Sequence, residues 1–228
     1  VSNLSELLAE ELKSNTVFTI PIFGGLPVEE SCVVTWIIMA VIALICFLAT
    51  RNLKVTNISK RQAAVELVVT KLESLVGGMA GEDGEAYVPY LITVLLYLAL
   101  ANIAGVFGFK PPTQSLNVTG ALAIMSIVLV QAAGIRKKGV KGWLKAFTSP
   151  VGIVTPFNIL DLVTRPLSLC MRLYGNVLGA FVIMKILEAV VPVIIPAIFS
   201  LYFDFFDGIL QAYVFVFLTG MYIKEAVE

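Results

Sequence analysis

Apolar residues in this chain run in long unbroken stretches, and polar residues gather between them. Residues 31–50, 86–109 and 111–135 carry no charged side chain, giving runs of 20, 24 and 25 residues where about 20 suffice for a helix to cross a bilayer. Beyond Phe157 the chain stays apolar but is interrupted by charges, and Pro192 and Pro196 divide it into two predicted helices, 166–191 and 197–226. Pro166 is an accepted first-turn residue for the earlier of the two. The pattern predicts an all-α membrane protein with five transmembrane helices, the last two long and tilted. Leu4, Leu7, Leu8 and Leu12 recur at helical spacing with acids between them, predicting a short amphipathic helix over 2–14 that Pro21 to Pro27 breaks. Helical period returns between Ser59 and Leu75, predicting an interfacial helix ended by Gly77-Gly78 and an acidic turn at 82–85. The expected organisation is an external segment 1–30, three membrane helices with their cytoplasmic loops over 31–150, and a helical hairpin 151–228. No internal repeat is visible, which speaks against a typical secondary transporter.

Composition sharpens this picture. Of 228 residues 58% are hydrophobic and 14% charged, against roughly a quarter charged in an ordinary soluble domain, and the mean hydropathy is +0.93. The net charge is zero, but its distribution is uneven: Arg51, Lys54, Lys60, Arg61 and Lys71 follow the first span, and Arg136, Lys137, Lys138, Lys141 and Lys145 follow the third. The positive-inside rule then places 51–85 and 136–150 in the cytoplasm, the N-terminus outside and, after five spans, the C-terminus inside. The run to Lys145, which includes Trp143, fits an anionic-lipid contact and a topology signal equally. The acidic start, with Glu6, Glu10 and Glu11, does not read as a secretory signal peptide. Histidine is absent, which removes the commonest metal ligand and general base. Cys32, Cys46 and Cys170 lie in or beside apolar segments without CxxC spacing and read as small buried residues. With no phosphate loop and no nucleophile elbow, no metal, cofactor, catalytic residue or nucleic-acid partner is expected.

The most specific stretch is Arg165-Pro-Leu-Ser-Leu-Cys-Met-Arg-Leu-Tyr-Gly-Asn176. Arg172 is a permanent cation in an apolar helix. Leu169, Arg172, Asn176, Gly179 and Ile183 fall on one stripe, and Gly175 with Gly179 forms a smooth face that another helix can approach closely. Snorkelling of Arg172 to the interface, with the glycines in static packing, fits the same spacing if the helix starts at Pro166. On the last helix Asp204, Asp207 and Gln211 share one face at about 100° per residue; solvated acids in an external turn fit equally. Lys185 and Glu188 are placed to pair at the external rim. Charge at membrane depth is costly, so Asp161 and Glu188 also enter as candidate lining residues, with Ser168 beside the motif.

At these residues the chain resembles subunit a of the F-type ATP synthase. Pro166-Leu-Ser-Leu-x-x-Arg172-Leu-Tyr-Gly-Asn176, Gln211-Ala-Tyr-Val-Phe, and Leu116-Asn-Val-Thr119 after Pro111-Pro112 carry the resemblance, which covers all five spans. It implies a non-catalytic membrane stator beside a rotating ring of c subunits, with peripheral-stalk b subunits and membrane lipids as further partners. H+ or Na+ would pass through two offset aqueous half-channels, most naturally in a bacterial cell membrane. The resemblance places Arg172 opposite the ring carboxylate, Gln211 near it, and Asn176 on the ion path. Many relatives carry a glutamate nine residues after the arginine and a histidine on the last helix. Here Phe181 and Asp204 stand there, so the external relay is expected to be rebuilt around Asp204. Ser115 replaces an acid common before the Asn-Val-Thr turn. The rival reading is a self-contained channel or carrier that uses Arg172 as an anion or gating site; an intramembrane enzyme lacks a nucleophile and base pair.

Overall fold

The computed structural model describes residues 16–20, 26–51, 53–54, 59–107, 110–148, 155–190 and 199–227, so the amphipathic helix expected over 2–14 lies outside the described residues. Among the described residues, five helices are long and apolar enough to cross a membrane: Glu30–Thr50, Asp83–Ile103, Leu116–Lys145, Thr155–Leu187 and Leu201–Val227. The chain is an all-α multi-pass membrane protein with one small exception. β1 (Thr16–Ile20) and β2 (Leu26–Glu29) form an antiparallel ribbon before the first span, Thr16 opposite Glu29 and Ile20 opposite Leu26. The β-branched run Thr16, Val17, Thr19, Ile20 suits a strand, a signal the helical pattern obscured.

α1 (Glu30–Thr50) exposes most of its surface and buries only Ile38. Its N-terminal end is anchored: Glu29 accepts hydrogen bonds from Ser115 Oγ at 3.2 Å and Asn117 Nδ2 at 2.9 Å. Thr35 Oγ1 donates to the Ser31 carbonyl at 2.8 Å, which satisfies a hydroxyl in an apolar setting. α2 (Lys60–Ala80) is capped by Ser59, whose Oγ accepts from Gln62 N. The buried Gln62 amide then holds both backbone groups of Lys54, at 3.0 and 2.9 Å.

The expected stop of α2 at Gly77-Gly78 is corrected: the helix runs through both glycines to Ala80. Val76, Met79 and Ala80 are buried, and the packing they gain exceeds the roughly 1 kcal/mol that each glycine takes from a helix. The true stop is Gly81, at φ 74° and ψ 172°, a conformation that is essentially glycine's alone. Gly81→Ala is therefore expected to lower the stability of the purified protein by about 1–3 kcal/mol. Thermal unfolding in detergent would read this, and an unchanged midpoint would show that the turn relaxes.

A 3₁₀ turn, Glu82–Tyr87, leads into α3 (Val88–Ile103). Two further turns, Ala104–Phe107 and Pro112–Gln114, precede α4 (Leu116–Thr148). Inside α4, Gly139 leaves helical geometry at φ 70° and ψ 163°. The chain bends there and brings Trp143 beside Gln131, its Nε1 donating to Oε1 at 2.8 Å. Lys137 pairs with Asp83.

α5 spans Thr155–Val190 with Pro166 inside it, which corrects the expected start at Pro166. The proline removes one N–H from the ladder, yet Leu169, Cys170 and Leu173 are buried, and α5 packs chiefly on α4. The last helix is also not uniform: a π-helical segment, Leu201–Asp207, leads into α6 (Gly208–Val227). α6 is the centre of the fold, lying against α2, α3 and α4 through Ala212, Phe215, Val216, Thr219 and Ile223. Its contact with α5 is slight.

Candidate functional site

The longer α5 relocates Arg172. The residue lies midway along Thr155–Val190, about 25 Å from the helix start and not about 10 Å as a start at Pro166 implied. The short distance from the helix start on which the snorkelling reading drew is therefore not the one observed. Arg172 is exposed, and among the described residues it makes no hydrogen bond or ion pair. Around it runs an open face of Leu160, Val163, Leu167, Met171 and Gly175 at spacings of three and four, with Ser168 exposed one turn before the arginine. A Cβ built on Gly175 or Gly179 meets nothing within 4 Å, so neither glycine serves close packing among the described residues. The stripe read from the sequence is divided by burial: Leu169 faces the core, Asn176 and Gly179 are half-buried, and Arg172 and Ile183 are exposed.

Asn176 crosses to the other side of the site. Its Nδ2 donates to Asp207 Oδ2 at 2.5 Å, joining α5 to the end of the π-helical segment. Asp207 is half-buried and therefore not the freely solvated acid of an external turn. Gln211, one α-helical turn further along α6, is 5% exposed, and its Nε2 has no hydrogen-bond partner among the described residues. A buried, unbonded amide donor costs on the order of 1–3 kcal/mol, which sets Gln211 apart from the satisfied amides of Gln62 and Asn102. The common face drawn for Asp204, Asp207 and Gln211 assumed 100° per residue throughout, and the π-helical geometry of Leu201–Asp207 does not keep that angle. The side chains of Asp204 and Glu188 lie outside the described residues, and with them the rim pair expected for Lys185. Lys185 itself stands over the Phe181 ring, 5.8 Å from its centroid.

Asp161 belongs to a different cluster, three turns from Arg172 along α5. Arg165 Nη2 lies 3.6 Å from Asp161 and donates to Glu225 at 2.7 Å, and its guanidinium sits 4.9 Å from the Tyr222 ring centroid. These groups tie α5 to the end of α6, and Asp161, Arg165 and Glu225 line a cleft of about 250 Å³ shared with Gln131, Trp143 and Asn158. Sequence reasoning passed over Glu225 and also Asn102, a lone amide in the apolar run of α3. The isolated polar residue was itself the available signal, because such groups at membrane depth require partners.

Fold and site together define a polytopic α-helical membrane protein with a fixed cation on an open helix face and a polar contact between its last two helices. Comparison with known proteins narrows this. The sequence matches the family model described as ATP synthase A chain over residues 32–224, and the chain belongs to that family. ATP synthase subunit a 1 of Chlorobaculum parvum is 35% identical over 205 residues, covering 89% of this chain and 90% of the relative. The subunit a of Albidiferax ferrireducens is 36% identical over 89% of this chain and 88% of its own length. A relative from Propionigenium modestum, named ATP synthase subunit a, sodium ion specific, is 32% identical over 89% of this chain and 75% of its own length. The family expected from the Arg172 motif is thus the family found.

Proposed function

We propose that this chain is the non-catalytic, ion-translocating stator of a rotary ATP synthase. Arg172 faces a carboxylate on each subunit of the c-ring, and two aqueous half-channels reach it from opposite sides of the membrane. The observation that carries this reading is Arg172 itself, a cation exposed midway along a membrane helix with no bond among the described residues. A permanent charge at membrane depth needs a counter-charge, and the open face of α5 leaves room for one brought by another subunit. A ring carboxylate is neutral in lipid; beside a fixed guanidinium its charged form is favoured and its ion is released. Because the guanidinium does not deprotonate, it also blocks a direct leak between the two paths.

In this reading Gly175 and Gly179 let the ring come close, while Asn176, Asp207 and Gln211 line one half-channel and Asp204, with Glu188, its external approach. Asp161 and Ser168 line the other. The transported ion is H+, with Na+ as the alternative that the name of the Propionigenium modestum relative motivates. The segments 1–30, 31–150 and 151–228 serve as external lead-in, scaffold and ion-translocating part, with b subunits and lipids around them in a bacterial membrane, the N-terminus outside and the C-terminus in the cytoplasm.

Reconstitution separates this from a self-contained channel or carrier. In liposomes the chain alone should pass almost no current with either H+ or Na+ gradients, and the complex containing the c-ring should pass the coupled ion. Substantial flux through the chain alone would overturn the stator reading.

A further inference from the structure

We infer that Asn102 of α3 is a positioning residue for the contact between α5 and α6, acting through the backbone carbonyl of Gly208; its consequence for ion transfer rests on the stator reading above. Asn102 is 4% exposed, and its amide is used at both ends. Nδ2 donates to the Gly208 carbonyl at 2.9 Å, and Oδ1 accepts from Thr113 Oγ1 at 2.7 Å. Thr113 is fully buried in the Pro112–Gln114 turn. One side chain therefore joins three elements that are distant in sequence: α3, the turn before α4, and the start of α6.

Gly208 is the point where the π-helical segment passes into α6. Its N–H is shared between the carbonyls of Phe203 and Phe205. A π-helical turn bonds each N–H one residue further back than an α-helical turn, so the direction in which the following side chains point depends on where the change of ladder falls. An external bond to the Gly208 carbonyl fixes that place. The approach is close enough to exclude any side chain at 208, since a Cβ built there would lie 2.7 Å from Asn102 Cβ.

Asp207, the neighbouring residue, holds Asn176, and Gln211 follows Asp207 by four residues. A slip of the junction by one residue would rotate these side chains by about 100° and take Asp207 away from Asn176. Packing alone does not require an amide at 102, because a leucine would fill a similar volume between α3 and α6 without a bond to Gly208. The chain Thr113, Asn102, Gly208 thus sets the rotation of the polar groups on α6 toward α5.

The test uses the whole assembled complex, in a background with Cys32, Cys46 and Cys170 replaced. Paired cysteines at 176 and 207 report the α5–α6 contact by oxidative cross-linking, which needs no transport activity. Asn102→Leu and Thr113→Val, the latter nearly isosteric, are expected to lower cross-linking several-fold, whereas Thr113→Ser, which keeps the hydroxyl, should preserve it. With native residues at 176 and 207, ion-driven ATP synthesis per assembled complex should fall about tenfold in Asn102→Leu, the order set by one lost buried hydrogen bond, and remain normal in Thr113→Ser. Should Asn102→Leu fail to assemble, Thr113→Val decides the matter. Unchanged cross-linking in Thr113→Val, or equal loss in Thr113→Ser and Thr113→Val, would overturn the positioning role. Normal synthesis in an Arg172→Ala complex would instead overturn the stator reading and leave the cross-linking result to judge Asn102 by itself.

Discussion

Arg172→Ala should abolish ion-driven ATP synthesis while leaving the complex assembled. The side chain lies on the exposed face of α5 and makes no bond among the described residues, so its removal takes nothing from the fold of this chain. Under the proposed function, what it removes is the charge that favours ionisation of a carboxylate brought alongside. Loss of a fixed charge stabiliser in a low-dielectric site lowers a rate by about 100-fold or more. Arg172→Lys keeps a positive charge but replaces a planar, permanently charged fork by a compact ammonium that loses its proton when desolvated, and a comparable loss is expected. Synthesis driven by an imposed ion gradient in inverted vesicles, with the amount of assembled complex measured beside it, checks both variants. Normal rates in Arg172→Ala would remove the assigned role.

Gly175→Leu is expected to reduce coupled transport about tenfold with assembly intact. The structure makes this sharper than the sequence did. A side chain added at 175 meets nothing within 4 Å, so the variant has room within the described fold, and any harm arises where another surface comes up against α5. If another helix comes close at this face, as the proposed function requires, four added carbons hold the two apart, and dispersion falls steeply with such a gap. Gly179→Leu should act in the same direction. ATP hydrolysis that continues while ion pumping falls is the expected signature. Failure of the subunit to assemble would show that the glycine serves static packing, and unchanged pumping would show that nothing approaches this face closely.

The five spans were legible because a bilayer demands long charge-free helices, and residues 31–50, 86–109 and 111–135 satisfy that demand almost by composition. The Arg172 motif was legible as a set of residue types. What escaped was set by contacts between distant segments. Pro166 has the signature of a helix start, yet α5 begins at Thr155, and Leu162 of the added turns packs against the core. Gly77-Gly78 resembles a helix stop, yet Met79 and Ala80 need helical geometry to reach the core. The π-helical step before Gly208 has no signature in hydropathy, and a face drawn at 100° per residue does not carry through it. The bond between Asn176 and Asp207 joins residues 31 apart in sequence, a pairing that periodicity along one helix does not express.

The unequal packing of the last two helices has a mechanical consequence. α6 is wedged among α2, α3 and α4, whereas α5 leans on α4 and barely touches α6. A sideways push on the open face of α5 is therefore borne first by α4, through the seam at Leu169, Cys170 and Leu173. Near Arg165 the guanidinium couples the beam to the end of α6 through Glu225 and Tyr222, and on the other side of Arg172 a second strut runs from Asn176 to Asp207. Arg172 sits between these two bearings.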